Sequence, residues 1–195
     1  MELPKRKPNR LKDYDYNSNG AYFVTVCTKN KKRILCDVSI SPSENTTVGA
    51  DIIRPQNAQL FATDIINSEN TIAEIEIRLS ETGELVRTAI ESINTYYPYV
   101  SVDKYIIMPD HIHILIVIND SDTDGRIISA PTGTNKQRLE VIIGQMKRWV
   151  SKQAGFPLWQ KSFHDHIIRT QEDYFHVWNY IDSNPRLWLE NKDNH

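Results

Sequence analysis

Cysteine is scarce in this chain of 195 residues, with Cys27 and Cys36 its only two. They form no metal-ligand pattern, so a cysteine-based zinc site and a disulfide framework are both set aside. In a bacterial-type cytoplasm they are expected to be reduced bystanders. Long apolar runs are also lacking: the longest, Ile112 to Ile118, is interrupted by His113, far short of a membrane span. The basic N-terminal stretch from Met1 to Asn17 has no apolar run behind it, so a secretory signal is not expected. No internal repeat or low-complexity tract is present. The expectation is one soluble cytoplasmic domain over residues 1–195, with a variable insertion around 36–75.

A surplus of positive charge is missing as well. The formal net charge of −2 gives nucleic-acid binding no support by itself. Its distribution says more. Residues 1–40 hold nine Lys/Arg against four Asp/Glu, whereas 41–95 hold three against nine. Positive charge gathers in Lys5-Arg6-Lys7, Arg10, Lys12 and Lys29 to Arg33, and again in Lys136, Arg138, Lys147, Arg148 and Lys152. Such patches suit phosphate contact and equally suit solvated charged faces.

What is present reads as a mixed chain. Ala21 to Thr28 is β-branched and aromatic behind Asn19-Gly20, which predicts a strand. Ser39 to Asn70 is rich in Ser, Pro, Asn and Thr and is expected to be a long loop or insertion. Ile72 to Leu79 alternates apolar and charged residues and predicts a half-exposed strand. A helix then starts near Ser80, with Leu85, Val86, Ala89, Ile90 and Ile93 at helical spacing, and Tyr97-Pro98 closes it. Val102 to Met108 and Ile112 to Ile118 are strands, the second buried on both faces. After a polar loop from Asn119 to Asn135, Gln137 to Gln153 is a basic amphipathic helix with Leu139, Ile142, Ile143, Met146 and Val150 inward. Phe163 to Arg169 is a short strand, and Gln171 to Asp182 is a last helix ended by Asn184-Pro185. This order suits an α+β fold with helices on one side of an antiparallel sheet.

Two places carry chemistry. In a strand, His111 and His113 point to one face about 6.5–7 Å apart at the backbone, while Ile112 and Ile114 enter the core. Two imidazoles so placed can share a metal ion. The spacing alone also fits two polar residues on an exposed face, but histidines in so apolar a strand need partners. On the last helix, Tyr180 and Asn184 are one turn apart on one face. An Asn carbonyl oxygen there could complete a metal site beside the tyrosine hydroxyl. Taken alone, these two residues fit ordinary packing and a turn just as well.

The motifs together resemble those of the HUH transposases that use one tyrosine, and in particular the REP-associated tyrosine transposases. The resemblance is carried by Tyr14-Asp15-Tyr16, by Asn19-Gly20 with the segment to Thr28, and by Met108-Pro109-Asp110-His111-Ile112-His113. It continues through Gly144-Gln145-Met146-Lys147, through Trp159 to Arg169, and through Tyr180-Ile181-Asp182-Ser183-Asn184-Pro185. Each block is unspecific, while the set in this order is not. Residues 36–75 resemble the family least. The resemblance implies a ferredoxin-like α+β fold, with a C-terminal helix carrying the tyrosine. It also implies His111, His113 and Asn184 as ligands of Mg²⁺ or Mn²⁺, and Tyr180 as a nucleophile on single-stranded or hairpin DNA. DNA contacts are expected from Lys147, Arg148, Trp149, His166 and Arg169, with Tyr22, Trp149 and Trp159 as candidates for stacking on unpaired bases. A monomer and a homodimer both fit. Competing readings are a replication-initiator nickase, a domesticated DNA-binding protein of the same fold, and a metal hydrolase unrelated to DNA.

Overall fold

The computed structural model describes residues 19–42, 58–66, 72–119 and 138–192. The basic residues near the start, Tyr14-Asp15-Tyr16, most of the Asn119–Asn135 segment and His195 lie outside them.

Alternation along the strands sorts the chain into layers. β1 (Gly20–Cys27), β5 (Val100–Met108), β6 (His111–Ile118) and β7 (His164–Ile168) form one antiparallel sheet in the order β5-β6-β1-β7. Tyr22, Val24 and Val26 of β1 and Ile112, Ile114, Ile116 and Ile118 of β6 share one face. They pack there with Val86, Ala89 and Ile90 of α1 (Glu81–Glu91) and with Leu139, Ile142, Ile143, Met146 and Val150 of α3 (Arg138–Ala154). A single-turn helix, α2 (Ile93–Tyr96), follows α1. The intervening residues Phe23, Ile106, Met108 and Leu115 face the other side, against Val177 and Ile181 of α4 (Gln171–Lys192). A β-α-β-β-α-β path with this strand order is the ferredoxin-like arrangement expected. The added helix α4 covers the face that α1 and α3 leave open.

The segment 36–79 departs from expectation. Ser39 to Asn70 is not one long loop: β2 (Cys36–Pro42) and β3 (Ala58–Ile66) flank β4 (Ile72–Leu79) in a second antiparallel sheet, order β2-β4-β3. β4 was legible from its alternation, and a half-exposed strand needs partners on its edges. β3 was hidden because its register against β4 shifts between Phe61 and Ile65, which breaks the period-two signal. Cys36, Val38, Ile75 and Ile77 join the cluster under α4. Both cysteines are buried free thiols. The Cys36 thiol donates to the Ile107 carbonyl (3.2 Å), and burial pushes its pKa up to about 12.

The last helix is the second departure. It does not end at Asp182 but continues through Pro185 to Lys192. Proline removes one backbone donor and disfavours helical geometry at the residue before it. The apolar residues past it outweigh that cost: Trp188 and Leu189 pack on the same cluster as Val177 and Ile181. Further up the helix, Asp182 pairs with Lys104 of β5 (2.6 Å), whose ammonium lies 4.2 Å from the Trp178 ring centre. The Tyr174 hydroxyl donates to Asp103 (2.7 Å), so α4 is fixed along β5.

The start of α1 has little room. The Ser80 side chain caps it by accepting from the Gly83 N–H (3.0 Å), and the Ser80 hydroxyl donates to the Leu35 carbonyl (3.0 Å). A Cβ on Gly83 would run into that same carbonyl oxygen, which is backbone and cannot swing aside. Gly83→Ala is therefore expected to lower unfolding free energy by about 1–3 kcal/mol in urea titrations. An unchanged midpoint and slope would show that the α1 start has slack this packing does not contain.

Candidate active site at the β6–α4 interface

A two-residue turn sets the histidines. Met108 pairs with His111, so Pro109 and Asp110 alone connect β5 to β6. The Asp110 carboxylate accepts from the His111 ring at Nδ1 (2.6 Å). An ionised carboxylate only accepts, so Nδ1 carries the hydrogen, and the neutral ring keeps its lone pair on Nε2. His113 lies opposite Thr25 of β1, and the Thr25 hydroxyl and His113 Nδ1 are 2.9 Å apart. The hydroxyl can donate or accept there, and in the tautomer whose Nδ1–H donates to Thr25 the His113 Nε2 bears a lone pair. That Nε2 is buried and has no hydrogen-bond partner among the described residues.

Burial also keeps both rings neutral. It lowers the His111 pKa, an effect the Asp110 contact opposes and the Lys31 charge reinforces. Burial, then the charges of His111 and Lys31, push His113 down to about 3. The ring centres of the two histidines are 4.6 Å apart. Their side chains share the sheet face that α4 covers, as the alternation requires.

α4 delivers the rest. Val177 and Ile181 turn into the core, which sets Tyr180 and Asn184 on the adjoining stripe over the histidines. The Tyr180 ring centre is 5.4 Å from that of His113 and 5.8 Å from that of Phe23, which itself stacks on His113 at 5.0 Å. Tyr180 remains 38% exposed, so solvent reaches it. Asn184 is buried, with its side chain next to His111. Trp188, the next turn on, lies 5.9 Å from the His111 ring centre. The continuation of α4 through Pro185 thus brings Asn184 and Trp188 onto the site.

The structure therefore gathers His111, His113, Tyr180 and Asn184 in one place. No group of three His, Cys, Asp or Glu residues suited to a metal ion occurs among the described residues.

The other candidates lie elsewhere. Lys147, Arg148 and Trp149 belong to α3, on the far side of the sheet. The Lys147 ammonium donates to the carbonyls of Gln160 (2.8 Å), Ser162 (3.1 Å) and Lys161 (3.4 Å), and burial lowers its pKa. It holds the segment before β7. Arg148 and Trp149 are exposed beside a groove of about 390 Å³ between α3 and the end of α1. His166 is exposed on the α4 side, paired with Asp173 (2.9 Å), and Arg169 is exposed just past β7. Tyr22 is fully buried and Trp159 is 8% exposed, so both are core residues and not stacking platforms.

Asp110, Thr25 and Phe23 were not singled out in the sequence as parts of this site. Asp110 has a local signal, since it immediately precedes His111. Thr25 and Phe23 reach His113 only through the pairing of β1 with β6.

A buried neutral histidine ties stability to pH. The folded pKa of His113 is near 3, against an ordinary value of 6.5. Below about pH 6.5 the unfolded chain takes up a proton that the native ring refuses, so stability falls as pH drops towards 3 and is flat above. In metal-free buffer, His113→Gln should lose less stability between pH 7 and 4 than the wild type, read as urea midpoints. Parallel pH curves for the two would show that His113 is not held neutral.

No family model matches the chain. An uncharacterized protein of Haemophilus influenzae is 29% identical over 199 residues, covering 96% of this chain and 92% of that protein. A second Haemophilus influenzae protein, named as a putative REP-associated tyrosine transposase, is 31% identical over 100 residues. That match covers 51% of this chain and 56% of the relative, so the chain spans about half of the relative's length. Among solved structures, a REP-associated tyrosine transposase bound to a REP hairpin gives a TM-score of 0.47 at 16% identity, covering 95% of this chain and 73% of that one. A putative transposase from Deinococcus radiodurans gives 0.38 at 12% identity, covering 89% and 97%. The resemblance read from the motifs is thus returned by sequence comparison, and the chain is similar to the REP-associated tyrosine transposases.

Proposed function

We propose that the chain is a single-strand-DNA transposase and endonuclease that cuts and rejoins hairpin substrates through a phosphotyrosine intermediate. The observation that carries the reading is the placement of Tyr180 against His113, whose buried Nε2 lacks a partner, with Asn184 on the neighbouring His111. A buried polar atom without a partner costs about 1–3 kcal/mol, and folds retain such costs chiefly where the group has other work.

The donor set is mixed, with two borderline imidazoles and one hard amide oxygen, and would admit Mn²⁺, or Mg²⁺ where water and phosphate oxygens fill the remaining positions. Such an ion would supply charge neutralisation at the non-bridging oxygens of the scissile phosphate.

The chain's own residues do the remainder. Phe23 and His113 hold the Tyr180 ring edge-on, which limits the directions from which its oxygen approaches. The Tyr180 oxygen attacks phosphorus and loses its proton to solvent. The P–O3′ bond breaks, and the departing oxygen takes up a proton to become a free 3′-hydroxyl. The 5′-phosphate stays on Tyr180. A second 3′-hydroxyl reverses the step and joins a new strand without an external energy source. Asp110 and Thr25 act through the histidines as positioning residues, since each fixes which nitrogen faces the site.

The test uses labelled single-stranded hairpin DNA taken from the sequence flanking the gene, incubated with Mg²⁺ or Mn²⁺ and run on a denaturing gel. A metal-dependent covalent protein–DNA band is expected. Tyr180→Phe should reduce it by at least roughly a thousandfold, and His111→Ala/His113→Ala should remove its metal dependence together with the band. A band that survives Tyr180→Phe identifies a different nucleophile. A nick without strand transfer points to the replication-initiator reading, and DNA binding without any adduct points to a domesticated binding protein.

A further inference from the structure

The basic run Lys29 to Arg33 is not absorbed by this chemistry, yet the fold builds it against the site. It forms a short 3-10 turn (Lys29–Lys31) between β1 and β2. Both ends of the turn are fastened to the Pro109–Asp110 turn that launches His111. The Thr28 N–H and hydroxyl both donate to the Asp110 carbonyl (2.9 and 3.0 Å). On the far side, the Ile34 and Leu35 N–H groups donate to the Pro109 carbonyl (2.9 and 3.1 Å). Thr28 is fully buried, its hydroxyl also reaching the Lys32 carbonyl (2.8 Å), and the Lys29 N–H donates to Leu158 (2.7 Å).

Between these fixed ends, Asn30 and Lys31 adopt left-handed backbone, with φ of 59° and 54°. Such conformations are costly for residues other than glycine, and two in succession persist only where the surroundings impose them. The result is a cationic lip beside the histidines. Lys31 stands at the end of this turn, two residues before Arg33. Arg33 lies over the Trp188 ring (5.1 Å), and Trp188 lies 5.9 Å from His111. Lys31 and Arg33 are exposed.

We infer that Lys31, with Arg33 beside it, seats a backbone phosphate of the DNA strand next to the scissile one, so that the strand runs from Tyr180 past His111 over the Lys29–Arg33 turn. A turn stapled to the Pro109–Asp110 connection holds Lys31 and Arg33 beside the hairpin that carries His111, which is what a positioning contact to a phosphodiester requires. The inference rests on the single-strand-DNA reading above and adds the residues that hold the flanking strand.

The test is fluorescence anisotropy of the full chain with a labelled single-stranded hairpin oligonucleotide, titrated over a roughly fourfold range of salt. The variants are Lys31→Gln, Lys31→Arg, Arg33→Gln and, as a charge control, Arg78→Gln. Arg78 is exposed and lies on the face of β4 turned away from the cluster under α4. Lys31→Gln is expected to weaken binding roughly five- to tenfold and to lower the log–log salt slope by about 0.7, equally for a specific and a scrambled oligonucleotide. Arg33→Gln should act in the same direction, Lys31→Arg should keep wild-type affinity and slope, and Arg78→Gln should change neither. The inference is overturned if Lys31→Gln behaves like Arg78→Gln, or if Lys31→Arg is as weak as Lys31→Gln. A wild-type chain that binds no single-stranded DNA overturns it together with the reading beneath it. Binding without a tyrosine adduct sinks the cleavage chemistry alone, and the slope comparison still decides Lys31.

Discussion

An imidazole held inside a strand with one nitrogen unpaired is the constraint around which this fold is arranged. His113 is 4% exposed, and among the described residues its side chain hydrogen-bonds Thr25 on the neighbouring strand while Nε2 has no partner. That bond exists because β1 and β6 pair in the register that sets Thr25 opposite His113 and Cys27 opposite His111. A slip of one residue would turn both histidines into the α1–α3 core and put isoleucines beneath Tyr180. The isoleucines that alternate with the histidines hold the register by filling the opposite face. The same pattern that builds the core therefore aims the site.

The second support is α4. A helix that stopped before Pro185 would leave Trp188 and Leu189 unpacked and Asn184 at a frayed end. By continuing, α4 buries Asn184 against His111 and lays Trp188 beside the same ring. The Lys104–Asp182 and Tyr174–Asp103 contacts fix where the helix crosses the sheet, and so where Tyr180 stands relative to His113. Rigid elements on both sides of the site limit the freedom of the Tyr180 side chain. The basic turn adds a third wall, fastened to the Pro109 and Asp110 carbonyls.

Much of this was legible in the chain. The alternation of β4, the apolar run of β6, the helical spacing in α1 and α3, and the helix start at Ser80 all act locally, so the residues announced them. His111, His113, Tyr180 and Asn184 were found by their types and spacing together with the family resemblance. What was not legible depends on distant contacts. β3 lost its alternation to a register shift. The path of α4 through Pro185 is decided by Trp188 and Leu189 docking on residues far away in sequence. Thr25 and Phe23 become part of the site only through strand pairing. Lys147 reads as a surface cation, yet its ammonium is spent on three carbonyls. The left-handed pair Asn30-Lys31 has no glycine to betray it.

The central claim is that His111, His113 and Asn184 form one ion site beneath Tyr180. Crystals grown with Mn²⁺, with diffraction recorded at the manganese absorption edge, test it most directly. The account predicts a single anomalous peak at bonding distance from Nε2 of His113, the His111 ring and the Asn184 side-chain oxygen. A peak elsewhere, or none while His113 Nε2 is hydrogen-bonded within the protein, would contradict it.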